Sequence, residues 1–473
     1  MIETFELAVI GGGPAGMEAT KTASGFGVRT VMIDQYPQPG GQYYMRIPRT
    51  FKVDYENKAE TDGRKLVNET LNSSALKVLN CLVWGLFQED AGWLIGLYGK
   101  DTPKYVRAKN LILANGTYDT PVAFPGWTLP GVITCGGTLT LLKNQRVAPG
   151  KRALVSGTGP LVFSVAAHLI AAGVEVEAVC EANHLLPRGI KHTFTMLRQW
   201  DRLVEGASYM KTILGAGTPY KIGWSLVEAR GQEAVEQAVI ARVDRKGQPI
   251  PGSEKIYDVD LVVSGYLLTP NTGLLRMIDC EMTYQPGKGG WIPVRDADYQ
   301  TSIPGVYAVG DGAGIGGAEN SRLEGKIAGA VIARNCRYLS LSREKQFREE
   351  LQAELAQQTR FGILLSDLFT PPVGLVNLPK DDTIICRCEE ISLGEIKAAV
   401  KMGARSIGEV KMLTRTGMGN CQGRMCEHSV ASIIAHELAD KGITREEIGY
   451  YSIRPPLHPL PQSFLAEAVP DED

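Results

Sequence analysis

The sequence predicts an α/β protein built around two βαβ units, with a small cysteine-bearing module near its C-terminal end. Three observations carry this reading. A glycine-rich turn at residues 11–16 lies between an apolar run and a helical stretch, a second such turn lies at 157–162, and four cysteines gather between 386 and 426. The chain has 473 residues, about three domains' worth at roughly 150 residues each. It is 44% hydrophobic and 22% charged, which excludes a disordered, collagen-like or disulfide-scaffold chain. Fifty basic against 52 acidic residues leave a net charge of -2, so the basic field that nucleic-acid binding needs is missing.

The most apolar stretch, residues 165–179, is broken by His168, Glu175 and Glu177. No membrane span is expected. The first strand starts at residue 5 and leaves little room for a targeting segment, which predicts a cytoplasmic protein. Nine cysteines, an odd number, suit a reduced compartment.

Residues 5–10 read as a buried strand, and Gly11-Gly12-Gly13-Pro14-Ala15-Gly16 opens a helix over 17–25. Gly11 permits the tight turn, Gly13 lets a pyrophosphate approach the backbone, and Gly16 brings helix and strand close. The helix N-terminus favours the phosphate charge. A second strand, 28–33, ends at Asp34, an acceptor for a ribose diol. A dinucleotide site is predicted here. Two later segments join it: an apolar strand ending in Ala114-Asn115-Gly116, and a strand over 301–310 ending in Gly310-Asp311-Gly312.

The second unit repeats the pattern. Strand 153–156 meets Gly157-Thr158-Gly159-Pro160-Leu161-Val162, then a helix over 163–172, then strand 174–180 ending at Glu181. Val162 replaces the third glycine and should crowd the helix–strand contact. Glu181 would repel a 2′-phosphate, which disfavours NADPH. NAD, another adenine nucleotide, or a fold kept only for architecture all remain open. Cys135 has no cysteine within four residues, so a dithiol reductase is not expected.

Cys386 and Cys388 form a C-x-C pair, and Cys421 and Cys426 a C-x4-C pair. Four thiolates in two close pairs hold an iron–sulfur cluster or zinc. The tight C-x-C spacing and the glycines around the second pair favour the cluster. A helix is expected over 393–402 and a strand over 407–413. His428 reads as a helix-surface histidine rather than a fifth ligand. His184 and His192 read as structural.

These motifs carry a resemblance. The turn at 11–16, the strand before Ala114-Asn115-Gly116 and the late Gly310-Asp311 together resemble the two-dinucleotide-domain flavoprotein disulfide reductase superfamily. That resemblance implies two interleaved Rossmann-like domains of thioredoxin-reductase-like FAD/NAD(P) type. It implies that Asp311 binds the ribityl chain of FAD and that the loop Pro39-Gly40-Gly41-Gln42 contacts the flavin. Asn115 departs from the usual Thr but keeps a polar group. The cysteine region looks like the bacterioferritin-associated ferredoxin-like [2Fe–2S] domain, a small helical module.

The implied organisation is an FAD-binding domain at 1–125 and 286–340, a second nucleotide domain at 126–285, and a helical connector at 341–380. The [2Fe–2S] domain follows at 381–440, then a proline-rich arm at 441–473. The segments 114–119, 124–132, 289–293 and 310–318, with the cluster motif, resemble the α (A) subunit of heteromeric dye-linked amino-acid dehydrogenases. That group includes the opine oxidases, L-proline and D-hydroxyproline dehydrogenases and hydrogen cyanide synthase.

The resemblance implies a division of labour. A D-amino-acid-oxidase-like flavoprotein β subunit oxidises the amine, an FMN is shared between subunits, and a small third subunit is possible. The α subunit passes electrons through [2Fe–2S] to an acceptor. The first site holds FAD, with NAD or ATP as alternatives. No catalytic residue for a carbon substrate is identified in the chain. The alternatives are a stand-alone NADH-dependent flavin/iron–sulfur reductase and an assembly subunit with structural nucleotides.

Overall fold

A computed structural model describes residues 2–44, 58–185 and 200–467. The chain divides into two compact units. One comprises Met1–Thr117, Pro270–Thr359 and Ser452–Asp473, the other Tyr118–Thr269 and Arg360–Tyr451.

The first unit is built on a seven-stranded sheet. Its order is Leu76–Val78, Thr30–Ile33, Thr4–Ile10, Tyr105–Leu113, Gly92–Gly99, Cys81–Glu89. The strand Tyr105–Leu113 pairs antiparallel with Gly92–Gly99 along its first half and parallel with Val306–Ala308 along its last three residues. Register puts Ile10 opposite both Ile33 and Leu113, and Leu113 opposite Ala308. With Val78 opposite Ile33, five parallel strands end on one edge. The carboxyl edge of a parallel sheet is where ligands bind in open α/β folds. Both faces are covered: Ala8 and Ile10 enter one apolar core, Leu7 and Val9 another. This explains the unbroken apolar run 7–10.

Helix Pro14–Gly25 starts with proline at its first turn, where no N–H is needed. It lies against helix Ala318–Asn335. A side chain on Gly325 would come within 2.1 Å of Ala15 O, and one on Gly329 within 2.8 Å of Ala19 O. Of the expected arm at 441–473 only the part from Ser452 on belongs to this unit, where Leu457 is buried and its N–H donates to Trp84 O at 2.8 Å; the residues up to Tyr451 belong to the other unit.

The second unit holds an all-parallel five-stranded sheet, in the order Tyr220–Ile222, Glu175–Glu181, Arg152–Gly157, Leu261–Gly265, Val132–Thr134. A three-stranded antiparallel sheet (Trp224–Arg230, Gln237–Arg242, Lys255–Asp258) accompanies it. The cysteine module adds a short hairpin, Ile384–Cys386 with Ile391–Ser392, and helices Leu393–Lys401, Ile407–Thr414 and Glu427–Glu437. One apolar core runs from Phe124, Leu154 and Ile240 to Ile396, Val410 and Ile434. The module thus shares its interior with the nucleotide-type domain. A 2.6 Å hydrogen bond from Trp127 Nε1 to Ile384 O ties the two. Helix Leu341–Phe369 runs from the first unit into the second.

Residues 407–413, expected as a strand, are helical. The reason is local. Ser406 Oγ accepts the Glu409 N–H at 3.2 Å, and the Glu409 carboxylate accepts the Ser406 N–H at 3.2 Å. Such a reciprocal cap starts a helix, and Ile407 and Val410 then bury one face at helical spacing. The late strand before Gly310 is shorter than the expected 301–310, covering Val306–Ala308, because residues 302–305 turn, with Val306 N donating to Ile303 O at 3.1 Å. His192 and the acidic tip 470–473 lie outside the described residues. His184 is structural, with Nε2 2.9 Å from Val243 O.

Candidate cofactor sites

The edge of the first sheet gathers every residue singled out for the first site. Gly11 follows Ile10 with φ +109°, and a side chain there would lie 2.3 Å from Ala114 O. Only glycine serves this turn. A Cβ on Gly16 would sit 1.7 Å from Gly11 O, so the helix start closes onto the turn. At Gly13 the nearest atom to an added Cβ is Gly41 Cα, at 3.9 Å, and a Cβ on Gly41 would in turn come within 2.8 Å of Gly13 Cα. Two glycines thus let the loop and the turn approach each other, and no side chain lies against Gly13. Pro14 and Ala15 begin the helix whose N-terminal end faces the same turn.

Asp34 ends the second strand and is buried. One of its carboxylate oxygens accepts the Gly12 N–H and the other the Tyr36 N–H at 2.7 Å. Burial raises its pKa, opposed by those two bonds. Gly40 N donates to Gly12 O at 2.8 Å, which brings the loop holding Gly41 and Gln42 onto the turn. Gln42 is exposed and donates to Tyr36 OH at 2.7 Å. Ala114 N donates to Ile10 O at 2.8 Å, and Gly116 O accepts from Asn271 N at 2.8 Å. Gly312 stands against Asn115 and Gly116: a Cβ there would meet Gly116 N at 3.0 Å and Asn115 N at 3.4 Å.

Asp311 is fixed by three donors on Oδ1: Gly316 N and Gly317 N at 2.9 Å each and Ser321 Oγ at 3.3 Å. Burial raises its pKa. Behind it lies a pair that the sequence did not reveal. Glu324 accepts from Gly310 N at 2.8 Å, from Arg295 Nη1 at 2.8 Å and Nη2 at 3.0 Å, and from Asn320 Nδ2 at 3.1 Å. Arg295 also donates to Ala308 O at 2.8 Å. This buried pair clamps the Gly310-Asp311 turn to the strand before it. A glutamate within a charged helix carries no sequence signal of such a role. A cradle of glycines, a buried Asp34, a half-buried Asp311 and a helix N-terminus fits a dinucleotide.

The second turn is built alike. Gly157 stands opposite Glu181 across two parallel strands. Val162, expected to crowd the contact, is received by two glycines: Cβ atoms on Gly157 and Gly265 would lie 2.9 Å and 3.8 Å from its Cγ2. Glu181 is fully buried; its oxygens accept Gly159 N at 3.0 Å and Asn183 N at 2.8 Å. Burial pushes its carboxyl up to about 7, against the pull of those bonds. Over this turn lies the end of helix Leu341–Phe369: Thr158 Oγ1 donates to Phe369 O at 3.1 Å. Cys135 is fully buried, and burial raises its thiol pKa, so it is no exposed nucleophile.

The four module cysteines come together as two pairs, Cys386 with Cys426 and Cys388 with Cys421. Among the described residues no three thiol, imidazole or carboxylate groups converge on one point. Two thiol pairs suit two irons better than one tetrahedral ion. The Cys386 thiol is lowered to about 6, first by its bond with the Cys426 sulfur and then by the N–H groups of Gly417, Glu389 and Cys388. Its partner Cys426 is pushed up by the same bond. Cys388 is exposed and Cys386 buried. Gly419 lies against Cys388, where a Cβ would fall 2.3 Å from Cys388 Cβ. Gly417 and Gly423 press on the ring of buried Tyr451, whose hydroxyl is 3.9 Å from Cys426 Sγ. Tyr451 is a second residue that no sequence motif marks. His428, expected on a helix surface, is the second residue of helix Glu427–Glu437 and half-buried, and burial pushes its imidazole down to about 4.

Comparison with known proteins agrees with this geometry. Residues 5–334 match the pyridine nucleotide-disulphide oxidoreductase family, and residues 384–436 the BFD-like [2Fe–2S] binding domain. The chain is 32% identical to hydrogen cyanide synthase subunit HcnB of Pseudomonas protegens, over 96% of each chain. It is 31% identical to the opine oxidase A subunit of Rhizobium meliloti, covering 98% of this chain and 99% of that one. Among solved structures it resembles L-proline dehydrogenase from P. horikoshii in fold, with a TM-score of 0.72 at 21% identity, over 98% of this chain and 80% of that one. T. acidophilum thioredoxin reductase matches 71% of the chain, with a TM-score of 0.52 at 18% identity. Among the described residues no helix is long and apolar enough to cross a membrane. The family models imply FAD and a [2Fe–2S] cluster. The chain is thus an oxidoreductase of the pyridine nucleotide-disulphide oxidoreductase family, carrying a BFD-like [2Fe–2S] domain and related along its whole length to HcnB and to the opine oxidase A subunit.

Proposed function

We propose that the chain is the electron-transfer α subunit of a heteromeric flavin-dependent dehydrogenase acting on a CH–NH donor, an amino acid, opine, proline or hydroxyproline. The observation that carries this is the union of a dinucleotide cradle with a complete four-cysteine module in a chain whose relatives are named as subunits. The partner would be a D-amino-acid-oxidase-like β subunit, with an FMN shared between the two and a small third subunit in some assemblies. The setting would be cytoplasmic.

In this reading FAD lies on Gly11, Gly13, Pro14, Ala15 and Gly16. The ribose is received at Asp34, the flavin side by Gly41, Gln42, Ala114, Asn115 and Gly116, and the ribityl chain by Gly310 and Asp311. Asp311 already has Oδ1 anchored by three donors, so a ligand hydroxyl would meet a fixed acceptor. Cys386, Cys388, Cys421 and Cys426 would hold the cluster. A flavin exchanges electrons in pairs or singly, and a cluster one at a time. The N–H groups on the Cys386 sulfur favour its thiolate form, as a ligand must be. In this reading an acceptor would approach at Cys388, which is exposed.

The test is a tagged chain purified from its own cells with its partners. FAD, FMN, iron and sulfide are measured per chain, and dye reduction is assayed with L-proline, hydroxyproline, octopine, nopaline and glycine. The complex should reduce the dye with one of these amines, and the isolated chain with none. Amine oxidation by the isolated chain would overturn the reading.

A further inference from the structure

We propose that the second dinucleotide-binding turn is closed by the chain's own residues 369–372, the carbonyl end of one helix standing where a pyrophosphate would. The inference concerns the second nucleotide-type domain alone and does not rest on the subunit reading. In a βαβ unit the second glycine gives pyrophosphate access to the backbone, and the helix N-terminus supplies N–H groups and a positive dipole end. Gly159 is that glycine here, with φ +98°, and it caps helix Pro160–Ala171.

Its outer face is taken. An added Cβ would fall 3.6 Å from Phe369 Cβ and 3.7 Å from Phe369 Cγ, ordinary contact distance. Phe369 is the last residue of a 29-residue helix, and its carbonyl belongs to the negative end of that helix's dipole. That carbonyl accepts the Thr158 hydroxyl at 3.1 Å. The positive end of one helix therefore meets the negative end of another, the electrostatic role that a phosphate would fill.

The ribose end is closed too. Asn183, beyond Glu181, is buried and donates through Nδ2 to Thr158 Oγ1 at 2.7 Å and to Thr370 O at 3.2 Å. Glu181 accepts the N–H groups of Gly159 and Asn183 as Asp34 accepts those of Gly12 and Tyr36 at the first turn, so closure at this end rests on Asn183 and the Thr370 carbonyl. The strap is anchored downstream. Pro372 lies on Gly247, where a Cβ would come within 2.4 Å of its ring, and Gly374 N donates to Lys246 O at 2.7 Å. At the first turn the neighbour of Gly13 is the Cα of another glycine, Gly41, at 3.9 Å, where the second turn has an aromatic side chain. A dinucleotide could enter the second site only by displacing the Phe369 ring and the hydrogen bonds to the Phe369 and Thr370 carbonyls. The domain would serve as a scaffold for the cluster module rather than as an NADH port.

Hydrogen exchange on the full chain with its cofactors tests this. Peptides covering 157–162 and 369–374 are followed with and without millimolar NADH. The wild-type chain should show no change in either peptide. Phe369→Ala should speed exchange at 157–162 by about tenfold or more, and NADH should then slow it again. Thr158→Val, which removes the strap's hydrogen bond, should act in the same direction if the larger truncation fails to fold. NADH taken up at the first site would appear at 11–16 instead. Protection of 157–162 by NADH in the wild type would overturn the proposal. So would an opened turn that stays blind to NADH.

Discussion

Replacing Arg295 by methionine should destabilise the first unit far more than a surface change would. The arginine and Glu324 are 14% and 8% exposed at their side chains and meet at 2.8 Å. Arg295→Met leaves the carboxylate buried with only Gly310 N and Asn320 Nδ2 as donors. Breaking one side of a buried pair costs about 3–5 kcal/mol. For a unit of roughly 200 residues each kcal/mol lowers Tm by about 2–4 °C, so a fall of roughly 6–20 °C is expected. Glu324 also holds the Gly310-Asp311 turn, so flavin should be released in the same transition. The assay is thermal unfolding followed by far-UV circular dichroism and, in parallel, by flavin fluorescence. Arg295→Met with Glu324→Leu should recover most of the loss, since apolar replacement of a buried pair is about neutral. The unpaired Gly310 N–H would keep about 1–3 kcal/mol of it. A single variant that melts within about 1 °C of wild type and keeps its flavin would refute this reasoning.

Other expectations are as direct. Glu181 is raised to about 7 from 4.5 by burial, so the folded state holds its proton where the unfolded state has lost it. Its contribution is fully present below the unfolded pKa and is lost as pH rises toward 7, about 3 kcal/mol in all. Wild type should therefore lose Tm relative to Glu181→Gln between about pH 4.5 and pH 7; parallel melting curves would show the group is not buried as described. Tyr451→Ala, which empties the space between Gly417 and Gly423, should cost about 3–5 kcal/mol and lower iron content, whereas Tyr451→Phe should keep the cluster. Cys421→Ser should take iron from about two per chain to near zero while far-UV dichroism stays unchanged; full iron retention would remove Cys421 from the ligand set.

Much of this was legible in the sequence because glycine turns report backbone geometry directly. Gly11 and Gly16 sit where any side chain collides with the chain itself, so their spacing announces the fold. The cysteine spacing announces the module because C-x-C and C-x4-C are rare as a pair, although the sulfurs that meet, Cys386 with Cys426 and Cys388 with Cys421, come from different motifs. What stayed hidden depends on contacts far apart in the chain. Glu324 reaches Arg295 across 29 positions, and Phe369 reaches Thr158 across 211. Neither residue type is unusual where it stands. Residues 407–413 mislead because Ile407, Val410, Met412 and Leu413 suggest a strand by composition, while the deciding signal is the Ser406–Glu409 cap. Val162 resembles a defect in sequence, yet two glycines, one of them at position 265, receive it.

The central claim is that electrons reach this chain from a partner and leave through its cluster. The most direct measurement is an anaerobic titration of the purified chain, first with NADH and then with dithionite, followed by visible absorbance. The account predicts flavin and cluster bands unchanged by NADH and bleached by dithionite. Rapid bleaching of both by NADH would contradict it and make the chain a self-sufficient NADH-dependent reductase.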